Sequence, residues 1–228
     1  MQKNEVRFIP AVPVPGQEAY QDSLENNIIT VCTGYAGTGK TFLAVNHALT
    51  MMFNATKRGG IHHIVIIRPY IQSNTGEKLG ALPGTVDEKV MPYVLGLKDN
   101  MRQLFSNDKD IDSIINQKFE FTSLSLCRGR SFNNCFVIVE EAQNVPLDGD
   151  SMKMLLTRIG KHSKLVIQGD IDQMDIDSRR SALPETINIL KDLPGVGIVE
   201  MDDIETVQRS PIVKAILRRY EEYRSEEI

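Results

Sequence analysis

The chain has 228 residues, 41% hydrophobic and 25% charged, with a formal net charge of −4. That suits one folded domain with a sizeable core. It argues against a coat-like nucleic-acid binder, which needs overall positive charge, while leaving room for a local basic groove; no apolar run approaches the ~20 residues that span a bilayer.

The opening MQKNEVRFIPAVPVPG lacks the apolar core of a leader peptide. Pro10, Pro13 and Pro15 predict an extended N-terminal segment over residues 1–16, with the folded domain occupying 17–228. A short helix is predicted over 17–24. A β-branched run at 28–33 reads as a buried strand, followed by a glycine loop and a helix over 41–53. A second strand is expected at 63–68, then a long loop over 69–86 rich in glycine and proline, helical segments to about 116, and an alternating strand at 119–124. Long loops inside compact domains are commonly functional. Strands at 135–140, 165–168 and 196–200 alternate with helices at 151–160, 184–191 and 211–223. The first of these helices has Met152, Leu155, Leu156 and Ile159 on its core face; the last carries Ile212, Ile216, Tyr220 and Tyr223 on one stripe. Strands alternating with helices imply an α/β fold, a mainly parallel sheet with helices on both faces. Cys32, Cys127 and Cys135 are odd in number and lack metal-ligand spacing, so they read as reduced thiols in a cytoplasmic protein. His62 and His63 are adjacent; on a strand they would point to opposite faces, which does not make a metal site.

Gly34-Tyr35-Ala36-Gly37-Thr38-Gly39-Lys40-Thr41 fits G-x-x-x-x-G-K-[ST] between a predicted strand and helix. The glycines let successive N–H groups turn toward phosphate oxygens, and the positive end of the following helix adds to that field. Lys40 would reach the β- and γ-phosphates of a nucleotide, ATP in this reading, and the Thr41 hydroxyl would ligate Mg²⁺. Such a loop needs a carboxylate at a strand end. Val137-Ile-Val-Glu140-Glu141 supplies two: Glu140 to hold Mg²⁺ directly or through water, Glu141 to orient and deprotonate the attacking water. They stand at a strand's carboxyl end, where open α/β sheets bind ligands. A second polar strand end, Gln168-Gly-Asp-Ile-Asp-Gln173, offers Gln173 either as a γ-phosphate sensor or as an ordinary turn residue.

Together GYAGTGKTFLA (34–44), IIRPY (66–70), LGALPGTVDEKVMPY (79–93), CRGRSF (127–132), FVIVEEAQN (136–144), the 152–173 stretch ending QGDIDQ, and QRSPIVKAILRRYE (208–221) resemble the PhoH family of P-loop ATPases across residues 14–223. The resemblance implies a single RecA-like P-loop NTPase domain related to superfamily 1 helicase cores, in which another strand lies between the phosphate-loop strand and the acidic strand. By the same resemblance Gln17 stands where helicases read adenine, Gln173 matches the γ-phosphate sensor, and Arg209 would act as an arginine finger on a neighbouring subunit. The expected partners are then ATP, Mg²⁺, RNA or single-stranded DNA, and further copies of the chain. The chain departs from the family pattern at Glu140, where aspartate is usual, and at Ser131, where threonine is usual. The length leaves no room for the nuclease domain of some relatives, so no ribonuclease chemistry is expected.

Arg68 and Tyr70 fall in the segment that meets single-stranded nucleic acid in related helicases. Arg128 and Arg130 flank a glycine and suit either phosphates or salt bridges on an exposed loop. Tyr70 and Tyr93 suit either base stacking or local packing. The residues leave two functions open: an ATPase coupled to nucleic acid, or a nucleotide-switched assembly module with little hydrolysis.

Overall fold

Each β-branched apolar run forms a strand in the computed structural model, which describes residues 6–54, 60–69, 86–171, 173 and 180–226. In chain order the elements are α1 (Glu18–Asn26), β1 (Ile29–Gly34), α2 (Lys40–Asn54), β2 (His63–Arg68), α3 (Val86–Met101), α4 (Asp108–Lys118), β3 (Phe119–Ser123), β4 (Cys135–Val139), α5 (Ser151–Leu156), β5 (Lys164–Gly169), α6 (Leu183–Leu190), β6 (Val196–Met201) and α7 (Pro211–Glu226). The strands form one six-stranded sheet in the order β3-β2-β4-β5-β1-β6. Every pairing is parallel. β5 therefore separates the phosphate-loop strand from the acidic strand, as the resemblance implied. All carboxyl ends lie on one edge, so residues far apart in sequence meet there.

Alternate residues of the central strands face two separate cores, which is why those strands are apolar without interruption. Cys32, Ile66, Ile138 and Val166 pack with Tyr20 of α1, Leu43 of α2, Met101 of α3 and Ile111 of α4. Val31, Ile67, Val137 and Ile167 pack on the other face with Leu155 of α5 and Leu183 of α6. Helices thus cover both faces.

Residues 6–16 run along this body. Phe8 forms an antiparallel bridge with Phe105, Ile9 N–H donates to the Leu104 carbonyl, and the Asn46 side chain of α2 accepts from Ala11 N–H and donates to its carbonyl, both at 3.0 Å. Helix α5 is shorter than predicted. After Leu156 the backbone leaves the helix to bond Phe132, which donates to the Arg158 carbonyl and accepts from Gly160 N–H; this pairing competes with further helical turns. The stripe of α7 is exposed on this chain, with Ile212 and Tyr220 each 65% accessible. All three cysteines are free and buried. Among the described residues no helix is long and apolar enough to cross a membrane. Tyr70 and the Leu79–Gly84 stretch lie outside the described residues.

Candidate active site

The phosphate loop is shaped by glycines that other residues could not replace. Gly34, Gly37 and Gly39 have φ of +139°, +85° and +92°, the region where a Cβ is strained. A Cβ on Gly34 would meet the Met201 carbonyl oxygen at 2.1 Å, and one on Gly39 the Gln17 Nε2 at 2.7 Å. The loop closes on itself: Thr38 Oγ1 donates to the Tyr35 carbonyl at 2.9 Å. Lys40 Nζ donates to the carbonyls of Gly34 (2.6 Å) and Tyr35 (2.7 Å), so the ammonium is held at the centre of the loop. Burial lowers the Lys40 pKa, an effect that Cys32, Asp170 and Glu141 partly offset. Thr41 follows at the start of α2, whose first N–H groups have no intrahelical partners.

These residues border a cavity of about 450 Å³, within the size range of small-molecule sites. Its lining includes apolar Ala11, Val12, Val14 and Phe42 and polar Lys40, Thr41, Glu140, Glu141, Asp170 and Gln173. Gln17 is 4% exposed and lines the cavity. Its Oε1 accepts from Val14 N–H at 3.0 Å and its Nε2 donates to the Thr38 carbonyl at 2.8 Å, tying the N-terminal segment to the loop.

The acidic strand end supplies two carboxylates with different surroundings. Glu140 is 7% exposed, and its Oε2 accepts from Arg68 Nε at 2.7 Å. The Arg68 guanidinium also lies 4.2 Å from the centre of the Tyr93 ring. Burial works against the charge on Arg68, but Glu140 outweighs it, and the pKa of Arg68 is raised. Glu141 is exposed and holds a left-handed backbone, φ +53°, a conformation that costs a non-glycine residue free energy and clusters at functional sites.

Sequence reasoning missed the residues that join these parts. Gln143 is fully buried. Its Nε2 donates to Glu141 Oε2 at 2.8 Å and to the Gln173 carbonyl at 3.1 Å, while its Oε1 accepts from Asp170 N–H at 3.1 Å. Asp170 Oδ2 in turn accepts from Ala36 N–H of the phosphate loop at 2.9 Å. A relay of hydrogen bonds thus links Glu141 to the loop across the sheet edge. The only signal in the sequence was two polar residues, Gln143 and Asp170, just past apolar strands.

The predicted arginines separate. Arg209 lies along the phosphate loop of its own chain: a Cβ on Gly37 would sit 3.2 Å from its Cγ and Nε, and Gln208 N–H donates to the Gly37 carbonyl at 2.8 Å. It borders the cavity of its own chain. Arg130 pairs with Glu120 through both terminal nitrogens and lies 5.1 Å from the Phe132 ring centre. Arg128 is exposed on the same turn.

The residues present fit a nucleotide with its cation. The loop is a cradle that a Cβ would fill, a lysine is held inside it, and Thr41 and Glu140 border the same cavity. Among the described residues no group of three or more His, Cys, Asp or Glu is arranged to hold a metal; a hard cation here would rest on Thr41, Glu140 and phosphate oxygens, the usual manner for Mg²⁺.

Fold and site together define a P-loop NTPase-like α/β protein. The comparisons with known proteins are specific: a family model described as "PhoH-like protein" matches residues 12–221, and the chain belongs to the PhoH family. It is 37% identical over 206 residues to a PhoH-like protein of Synechocystis, covering 90% of this chain and 60% of that protein. It is 36% identical over 211 residues to a PhoH-like protein of Bacillus subtilis, covering 92% and 63%, and 32% identical over 205 residues to Protein PhoH of Escherichia coli, covering 88% and 55%. The chain spans less than two thirds of the length of these relatives.

Proposed function

We propose that this protein is an ATPase whose turnover is coupled to RNA or single-stranded DNA. The observation that carries this reading is the relay Glu141–Gln143–Asp170–Ala36, which ties a candidate base to the phosphate loop at one sheet edge. Backbone N–H groups of residues 34–41 and the Lys40 ammonium bind the phosphate chain, and Gln17 with the apolar lining residues takes the nucleobase. Thr41 and Glu140 hold Mg²⁺, which when bound neutralises charge on the phosphates. Glu141 orients water and takes its proton. Gln173 senses the terminal phosphate, and Arg209 stabilises the charge that develops during transfer.

Arg68 lies between Glu140 and the Tyr93 ring, so a nucleic-acid phosphate drawing on Arg68 would free a Glu140 oxygen for the metal site. Arg128 extends the basic surface. Tyr70, in the same sequence segment as Arg68, stacks a base, and Arg130 must leave Glu120 before it can meet a phosphate. The exposed stripe of α7 supports assembly with further copies of the chain, which mass in solution tests: a monomer at every concentration, with and without ATP, rejects it.

The test of the main reading is ATP turnover with and without single strands of RNA and DNA. Lys40→Ala should lose nucleotide binding, Glu141→Gln should bind ATP yet not turn it over, and Arg209→Ala should bind with reduced turnover. A folded wild type that hydrolyses nothing under either condition would sink it. The Arg68–Glu140 pair favours a second reading, a nucleotide-switched assembly module in which Arg68 keeps Glu140 from the metal and hydrolysis is slow. ATP-dependent assembly without stimulation by nucleic acid distinguishes it.

A further inference from the structure

The buried amide of Gln168 has no role in the site described so far. Gln168 stands next to last in β5 and is 3% exposed. It borders the cavity, and among the described residues neither its Oε1 nor its Nε2 has a hydrogen-bond partner. A buried amide stripped of water and left unpaired is unfavourable, and native proteins retain few of them. An apolar residue would satisfy packing alone, as Val166 does two positions earlier on the same face.

Strand register shows what surrounds it. Cys32 is opposite Gln168 across β1 and β5. Val139 is opposite Ile167, so the next step brings Glu140 level with Gln168. Ile67 is opposite Val139, which brings Arg68 level with Glu140. One row therefore crosses the sheet edge as Cys32, Gln168, Glu140 and Arg68. Glu140 is satisfied by Arg68, and the Cys32 thiol stays protonated because burial pushes its pKa up to about 12. Gln168 lies between them, on the strand separating the phosphate loop from the acidic end. Its amide offers both a donor and an acceptor, which suits a ligand carrying phosphate oxygens and ordered water.

We propose that Gln168 contacts the bound nucleotide: its Nε2 donates to the terminal phosphate, and its Oε1 accepts from water held by the accompanying cation. Gln168 thereby discriminates triphosphate from diphosphate. This inference rests on the nucleotide-binding reading above.

The experiment uses the full chain, wild type and Gln168→Leu, with thermal midpoints measured without nucleotide and calorimetric titrations with ATP–Mg²⁺ and ADP–Mg²⁺. Removing an unpaired buried amide should leave the nucleotide-free midpoint equal or higher. ATP–Mg²⁺ affinity should fall about tenfold, the scale of one hydrogen bond to a charged group, and ADP–Mg²⁺ affinity less than about twofold. Gln168→Glu, of nearly the same shape, should weaken ATP–Mg²⁺ more than Gln168→Leu by repelling the phosphate. Unchanged ATP–Mg²⁺ affinity in Gln168→Leu overturns the proposal. So does a lower midpoint with both affinities falling together, which would mean that the amide is bonded within the fold, for example to the buried Tyr20 hydroxyl, which also has no partner among the described residues. A wild type with no affinity for ATP–Mg²⁺ overturns the underlying reading instead.

Discussion

Removing Arg68 while leaving Glu140 tests how the candidate metal site is held. The two are 2.7 Å apart, with the carboxylate side chain 9% exposed and the arginine 32%. Breaking a buried pair by removing one partner costs about 3–5 kcal/mol, since a charge is left buried and unpaired. Water reaches Arg68 and screens the pair, so the cost falls to the bottom of that range or just below it, about 2–3 kcal/mol. Loss of the contact between Arg68 and the Tyr93 ring adds about 0.5–1 kcal/mol. Arg68→Ala should therefore destabilise the nucleotide-free chain by about 3 kcal/mol, which lowers the melting temperature by roughly 6–12 °C for a domain of this size. Glu140→Gln keeps the shape and a neutral hydrogen bond and should cost about 1 kcal/mol. The double variant should cost about 1–2 kcal/mol less than the sum of the two, because no buried charge remains to be left unpaired. Urea denaturation of the four proteins measures this cycle. Additivity within about 0.5 kcal/mol would mean that Glu140 is solvated and uncoupled from Arg68, and the proposed link between nucleic acid and the metal site would fall with it.

Two further expectations concern the loop and the core. Gly34→Ala drives a Cβ into the Met201 carbonyl, 2.1 Å away, at a φ of +139°; strain and overpacking together should cost about 3 kcal/mol and abolish ATP binding, and a variant that melts and binds like the wild type refutes the loop geometry. His47 is held neutral: burial, and then the charge of Lys164, lower its pKa from 6.5 to about 4, with Glu25 opposing. Its folded value lies below the unfolded one, so its contribution is complete above pH 6.5 and is lost as pH falls toward 4, by up to about 3 kcal/mol. Melting curves from pH 7 to 4.5 should fall less steeply for His47→Leu than for the wild type; equal slopes exclude this origin.

Much of the architecture is local information and can be read along the chain. Apolar β-branched runs placed five of the strands and alternation placed β3, the strand–glycine–helix order identified the phosphate loop, and two glutamates directly after an apolar run marked the acidic edge. The end of α5 was less legible, because Phe132 captures the backbone of Arg158 and Gly160 and nothing within the helix encodes that competition.

Which polar groups meet is set by the folded arrangement alone. Gln17 ties Val14 to Thr38, Gln143 collects Glu141, Asp170 and Gln173, Arg68 holds Glu140, and Arg209 lies on the loop of its own chain. These contacts depend on strand order and register, which bring residues as distant as Ala36 and Asp170 within hydrogen-bond reach. A parallel sheet makes its pairings through long crossovers, so no short stretch of sequence carries them. The residue types were visible along the chain; their partners exist only once β5 lies between β1 and β4.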